Sequence, residues 1–408
     1  MRISNKNSEK HCENVKDDGN QHFNSFSSTY TIISGIMTIG MMYPNSKTDK
    51  WRLLAIVVVG LSSAPYLAIT TIDIWRFFSE GDLANVIRIS TVSGPFSMVV
   101  LKMSLFYYKR HNANSIIQEM ERDYALANSA SKKIRNIVQQ NIKNNIFYEK
   151  LWTICVFIAV FTFPFNAAVM NVLNNINKGE NGYMITDLNN PFAEDAAARF
   201  ESPYFEIMFI YTFFCCCQYF VYFTGFEAFI MVSTGHACLK FELANTALED
   251  AILIQEDGDR NKMVGNVIRE HNRTFRFVDL LNDTFNLWLG ILTIGILAQL
   301  CCCMFYILEG YGFDERYSIF TIVVILYIYI ICYRAHQLKA TAEATPTRIF
   351  NCGWESNRDI GLRKTLCFMI ARFQSTVQIQ AIYFFLFDME FFVFIVKTAY
   401  SMFTLLKK

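Results

Sequence analysis

Stretches of about twenty apolar residues recur along this chain between polar segments, and nothing else in the sequence constrains the fold as much. The hydrocarbon core of a bilayer is about 30 Å thick and takes roughly 20 apolar residues per helical crossing. Backbone polar groups inside it must be satisfied within the segment, which leaves helices as the natural solution here. Seven spans are predicted at 51–72, 86–108, 151–173, 203–232, 285–308, 317–333 and 389–406. Pro95 and Pro164 lie inside the second and third, and Pro203 opens the fourth, a suitable first helical position. Segment 30–43 is apolar but short and is stopped by Pro44, so it reads as an interfacial or re-entrant piece rather than an eighth crossing. A hydrophobic content of 53% and an aromatic content of 15% set the chain apart from ordinary soluble proteins. The first twenty residues are polar and resemble no cleavable signal peptide, so the first span is expected to act as its own insertion signal. The last span runs almost to the final residue, and that helix is expected to belong to the working machinery. The predicted class is all-α, a polytopic membrane protein with a tail at 1–29 and a membrane domain at 30–408.

Lys and Arg are concentrated before span one and between spans two and three, four and five, and six and seven. The opposite loop, 174–201, carries Lys178 and Arg199 against Glu180, Asp187, Glu194, Asp195 and Glu201. The positive-inside rule then predicts a cytosolic N-terminus and an extracellular C-terminus, the reverse of a G-protein-coupled receptor. Glu121-Arg122-Asp123-Tyr124 looks like the acidic-Arg-Tyr motif of those receptors but lies in a polar loop, where a solvated helix face is expected. Segments 235–250, 264–282 and 358–387 are predicted to form a cytosolic helical anchor region. In the last of these Leu362, Leu366, Ile370, Phe373 and Val377 share one helical face, which is expected to pack on the cytosolic ends of spans four to six and on neighbouring subunits, or to lie on the membrane surface.

No catalytic constellation is apparent. The six histidines all fall outside the spans and without metal-ligand spacing, and no phosphate-binding glycine loop occurs. The twelve cysteines include two triplets, Cys215–Cys217 and Cys301–Cys303, whose members point three ways on a helix and read as packing residues. No enzyme activity, cofactor or metal is expected, and a net charge of +1 argues against nucleic acid as a partner.

The C-terminal run Lys397-x-x-Tyr400-Ser401-x-Phe403-Thr404-Leu405-Leu406 resembles the closing signature of insect odorant receptors. A second anchor is Cys332-Tyr333-Arg334-Ala335-His336-Gln337-Leu338 with Asn351-Cys352-Gly353-Trp354, similar to the region between spans six and seven of that family. The chain keeps Cys332, Leu338 and Trp354 and departs with Ala335 for Gly, Ala342 for Ser, Arg348 for Ala and Phe350 for Tyr. Ile39-Gly40-Met41-Met42-Tyr43-Pro44 resembles the family's N-terminal Gly-x-x-Pro segment. The resemblance implies seven helices, a four-subunit ligand-gated cation channel in the plasma membrane of olfactory sensory neurons, and a pore lined by the last helix. It also implies assembly with a shared co-receptor, which carries a long insertion between spans four and five. That loop is short here, about 250–263, so the chain reads as a tuned, odorant-binding subunit. A gustatory-type chemoreceptor channel is the alternative. A secondary transporter is the other class, and it would show internal repeats that this chain lacks.

A small volatile ligand calls for an apolar, aromatic pocket with few polar groups. The candidates are Ile89, Ser93, Phe96, Ser97, Phe161, Phe165, Met170, Phe205, Met208, Phe209, Thr212 and Phe320. Tyr400, Phe403 and Leu406 share a face of the last span and are candidates for a pore closed by dewetting, unless that face packs on spans five and six.

Overall fold

The computed structural model describes residues 23, 25–176, 182–193, 195–308, 315–356, 358–374 and 377–406. Among the described residues six helices are long and apolar enough to cross a membrane: α3 (Asp49–Glu80), α4 (Leu83–Tyr108), α6 (Lys132–Ile176), α7 (Tyr204–Ile252), α8 (Asp257–Leu308) and α9 (Glu315–Phe350). The eighteen-residue α11 (Met389–Leu406) stands where the seventh span is expected. Two short helices, α1 (Phe26–Thr29) and α2 (Thr31–Ile39), precede them, while α5 (Arg110–Asn128) and α10 (Ile360–Arg372) lie between spans.

The helix ends follow local chemistry. Gly81 closes α3 in the left-handed conformation at φ 79°. Asp82 then caps α4 by accepting the backbone N–H of Asn85 at 3.1 Å. Pro65, Pro95, Pro164 and Pro346 sit inside helices without ending them. The stretches 235–250 and 264–282, expected as helical continuations of spans four and five, lie within the unbroken α7 and α8, of 49 and 52 residues.

Helix α7 is the axis of the bundle and packs against α2, α4, α6, α8 and α9. Every residue from Thr224 to Ala237 is buried. The N-terminal piece 30–43 does not lie free at a surface. Phe26, Tyr30, Ile33 and Met37, spaced four, three and four, form one stripe that is wholly buried. Its backbone is tied down by side chains: Phe26 N–H donates to Glu121 at 2.9 Å and Ile33 N–H to Glu149 at 2.7 Å.

The acidic-Arg-Tyr run on α5 is not a wholly solvated face. Asp123 and Tyr124 are buried, because Asp123 turns inward to meet α7. Its carboxylate accepts from Lys240 Nζ at 2.7 Å and lies 3.0 Å from His236 Nε2, and Lys240 also reaches Glu119 at 3.3 Å. Burial works against ionisation of Asp123, but the His236 hydrogen bond and the charges of His236 and Lys240 overcome it and hold the group at about 2. A carboxylate depressed below its ordinary value near 4 stabilises the fold above that value, and this contribution fades as pH falls toward 2. Asp123→Asn is therefore expected to destabilise detergent-solubilised protein at pH 7 by on the order of 2 kcal/mol. The gap to the native chain should shrink between pH 4 and 2 in denaturation curves; a gap independent of pH would refute this account.

After α9 the chain makes α10, whose Leu362, Leu366 and Met369 are buried. The apolar stripe predicted through Val377 is helical only to Arg372; Phe373 and Val377 are buried beyond the helix end, and Ile370 is half-buried. A short antiparallel hairpin of β1 (Gln380–Ala381) and β2 (Phe385–Leu386) follows. It is seated on α8 through Asn282, which accepts the Gln380 N–H at 3.0 Å and donates to the Gln378 carbonyl at 3.0 Å.

Candidate ligand cavity

Helices α4, α6, α7, α8 and α9 diverge around a cavity of about 310 Å³. That is the lower end of the range of about 300–1,000 Å³ for small-molecule pockets. Bulk and smallness alternate around its wall. Trp152, Tyr219, Phe223, Trp288 and Tyr327 supply rings, while Ser90, Gly94 and Gly295 leave room where α4 passes α8. The rings brace one another: Trp152 stacks on Tyr327 at 4.7 Å between centroids, and Tyr219 on Phe223 at 4.9 Å. A Cβ added at Gly295 would meet nothing within 4 Å, so the open space begins at the α8 backbone. Few polar groups reach the wall. Gln299 is one, and its amide N–H donates to the Thr91 carbonyl at 2.9 Å.

Two smaller spaces continue from the cavity, each through walls shared with the one before it. One of about 60 Å³ shares Pro95, Ala159, Tyr219 and Phe320 with it. Another of about 20 Å³ shares Tyr66, Val92, Phe163 and Thr186 with the second and is bordered by Arg88 and Asp187, which pair at 2.7 Å.

Beneath the ring floor lies an ion pair. Lys102 Nζ approaches Glu227 Oε1 at 2.8 Å, with both side chains about 1% exposed or less. The ammonium sits over the ring of Phe223 at 3.8 Å and over Trp288 at 4.6 Å, and the Trp288 indole N–H donates to Glu227 at 3.1 Å.

The structure brings together some of the residues expected from sequence. Phe320 lines the main cavity; Phe96, Thr212 and Phe320 line the second space, and Ile89 the third. Met208 is buried in a cluster with Tyr66, Phe96 and Leu188, and Phe205 packs beside it. Phe209 packs against the cluster of Phe163, Ile185 and Tyr317. Ser93 is buried, and Ser97 is exposed with its hydroxyl donating to the Gly94 carbonyl at 2.6 Å. Phe161 is half-buried among Phe157, Phe213 and Phe220, and Met170 is half-buried. Phe165 is 71% exposed and points away from the cavity-lining face of α6, so it belongs to the bundle's outer surface.

The rings of Trp152, Phe223, Trp288 and Tyr327 were not anticipated. One of them, Trp288, lies on α8, a span in which the sequence alone suggests no candidate. The signal for them is the occurrence of small residues on two spans, Gly94 on α4 and Gly295 on α8, both of which line the cavity.

The expected pore face of α11 is split. Phe391, Ile395, Ala399 and Phe403, at intervals of four, are buried, and Phe403 packs with Cys301 and Phe305 of α8. Tyr400 is 56% exposed although its ring lies 6.1 Å from that of Phe403, and Lys397, one turn earlier, is exposed. Four-residue spacing keeps Phe403 on the packed stripe, and three-residue spacing carries Tyr400 off it. The Leu406 side chain lies outside the described residues.

Comparison with known proteins agrees with this architecture. The chain superimposes on the insect olfactory receptor OR5 from Machilis hrabei with a TM-score of 0.72 at 14% identity, over 92% of this chain and 96% of that one. The same receptor in complex with eugenol gives a TM-score of 0.71 at 12% identity, covering 93% and 99%. In sequence, Odorant receptor 85c of Drosophila melanogaster is 22% identical over 171 residues, 41% of this chain and 44% of the relative. Odorant receptor 10 of Aedes albopictus is 22% identical over 220 residues, 51% and 57%. The chain thus spans about half the length of the curated relatives it matches. Residues 82–400 match the family described as 7tm Odorant receptor, and with that match over most of its length the chain belongs to the odorant receptor family.

Proposed function

We propose that this chain is the odorant-binding subunit of a ligand-gated cation channel and that its ligand occupies the cavity between α4, α6, α7, α8 and α9. The observation that carries the reading is the wall itself, six aromatic side chains with few polar groups, which suits a small, volatile, mostly apolar molecule. That the Machilis hrabei receptor of similar fold was solved with eugenol supports the same class of ligand. A tuned subunit rather than the co-receptor is favoured by the short connection from Ile252 to Asp257 between α7 and α8. The expected partner is then the co-receptor, in a heterotetramer in the plasma membrane of olfactory sensory neurons, with the N-terminus cytosolic and the C-terminus extracellular. The charge asymmetry of the loops supports that orientation. The last helix is read as pore-lining, through the face of α11 that carries Tyr400 rather than the packed face that carries Phe403.

The test is current recorded from cells expressing the chain with and without a co-receptor, across a panel of volatile compounds. At least one compound should evoke a cation current that needs this chain. An epitope tag before Met1 should be stained only after permeabilisation. No evoked current at verified surface expression, with any compound of a broad panel, would count against the reading.

A further inference from the structure

The Lys102–Glu227 pair is not accounted for by ligand contact, since neither residue lines the cavity. Nor is it a natural staple. Two charges buried in an apolar bundle are commonly no more stabilising than a well-packed apolar pair of equal volume. What distinguishes it is where it lies. Lys102 follows the cavity-lining Met98 by one helical turn on α4, and Glu227 follows the cavity-lining Phe223 by one turn on α7. The two floor rings, Phe223 and Trp288, line the cavity and also contact the pair: the ammonium lies over both, and the indole N–H is committed to the carboxylate. An indole donor held by a buried carboxylate has one favoured orientation.

We infer that Lys102 and Glu227 are positioning residues for ligand recognition: through Trp288 and Phe223 they fix the floor of the cavity and so set which ligands it accepts. The inference rests on the reading of the cavity as the odorant site. Lys102 neutralises the carboxylate so that Glu227 remains an acceptor, and Glu227 orients the indole. A ligand pressing on the floor therefore meets a fixed surface, and its fit depends on size and shape at that end.

The test uses the full chain with a co-receptor, surface biotinylation, and a homologous series of straight-chain and branched volatile ligands. Trp288→Phe removes the indole donor and leaves the ion pair. Glu227→Gln keeps an acceptor for the indole and breaks the charge pairing. In Trp288→Phe, loss of a hydrogen bond to a charged group is expected to shift the half-maximal concentrations of branched ligands relative to straight ones by about ten-fold or more. Lys102→Met should lower surface expression by leaving a buried charge unpaired. The reversed pair, Lys102→Glu with Glu227→Lys, should recover expression but not the native rank order, because a lysine at 227 cannot accept the indole N–H. Full recovery of rank order by the reversed pair would make the residues a plain staple and overturn the inference. So would an unchanged rank order in Trp288→Phe at native surface levels, or a larger shift of rank order in Glu227→Gln, which still accepts the indole N–H, than in Trp288→Phe, which cannot donate it. Gly295→Leu separates the two layers. If it leaves responses intact, the cavity reading fails. If it silences them while the floor variants keep the native rank order, only the positioning role fails.

Discussion

Gly295→Leu is expected to silence the ligand response while leaving the protein folded and at the cell surface. Gly295 lines the main cavity and a Cβ there meets nothing within 4 Å, so the new side chain grows into open space rather than into a neighbour. Replacing glycine in the interior of a helix also removes an entropic cost of about 0.5–1 kcal/mol, so α8 itself should tolerate the change. The ligand, by contrast, must share a space of about 310 Å³ with an isobutyl group. Overpacking of an apolar site costs typically about 1–3 kcal/mol, which at the upper end is about a hundred-fold in half-maximal concentration. Gly295→Ala should give a smaller loss that grows with ligand size. Dose–response curves at matched surface expression check this. Native potency in Gly295→Leu for every active ligand would place the odorant elsewhere.

Gly235→Ala should do the opposite and remove the folded protein. A Cβ on Gly235 would collide with the Arg334 guanidinium and with Asn145. Arg334 is 2% exposed and is shared among α6, α7 and α9. It bonds Asn145, donates from Nε to the Met231 carbonyl at 3.3 Å and lies over the Tyr148 ring at 4.7 Å. Asn145 in turn donates to the Tyr30 hydroxyl at 3.2 Å, which pairs with Tyr124 at 2.9 Å. One methyl therefore displaces a buried cation and unlocks the N-terminal piece from the bundle. Stranding a buried charge costs about 3–5 kcal/mol, a large share of the stability of an ordinary domain. Gly35→Ala, where nothing lies within 4 Å, is the matched control. Thermal unfolding in detergent and surface yield should both fall for Gly235→Ala and not for Gly35→Ala; equal unfolding temperatures would refute the account.

The spans were legible because their signal is local. Twenty apolar residues in a row admit few structures, and Pro203 was read as the start of the fourth helix, where it is the residue just before Tyr204. The cavity was less legible because it is made by crossings. Phe320 and Phe96 were found as aromatics in the right helices, but so was Phe165, and only packing shows that Phe165 faces outward. With thirty-eight phenylalanines in the chain, ring content alone cannot select the few that face a space. Buried polar groups were missed for a related reason. Lys102, Asp123 and Arg334 have ordinary sequence neighbours, and each is buried because a partner a hundred or more residues away meets it. Glu227 falls near the end of the predicted span 203–232, where a solvated carboxylate would be unremarkable, yet it is wholly enclosed against Lys102 and Trp288. On α11 the rings of Tyr400 and Phe403, one turn apart, lie 6.1 Å from each other, yet one is exposed and the other buried, a difference that spacing alone does not reveal.

The unbroken length of the long helices has a mechanical consequence. Helices of 45, 49, 52 and 36 residues are about 68, 74, 78 and 54 Å long at 1.5 Å per residue. Each is longer than a bilayer is thick, and α6, α7, α8 and α9 all carry cavity residues partway along. A stiff rod pivoting near its middle magnifies at its far end whatever happens at the pivot. A tilt of about 3° becomes a displacement of about 2 Å at a point 40 Å away. A molecule of a dozen atoms wedged between such rods therefore has leverage over distant contacts that it never touches, and no separate transmitting part is required to carry the movement there.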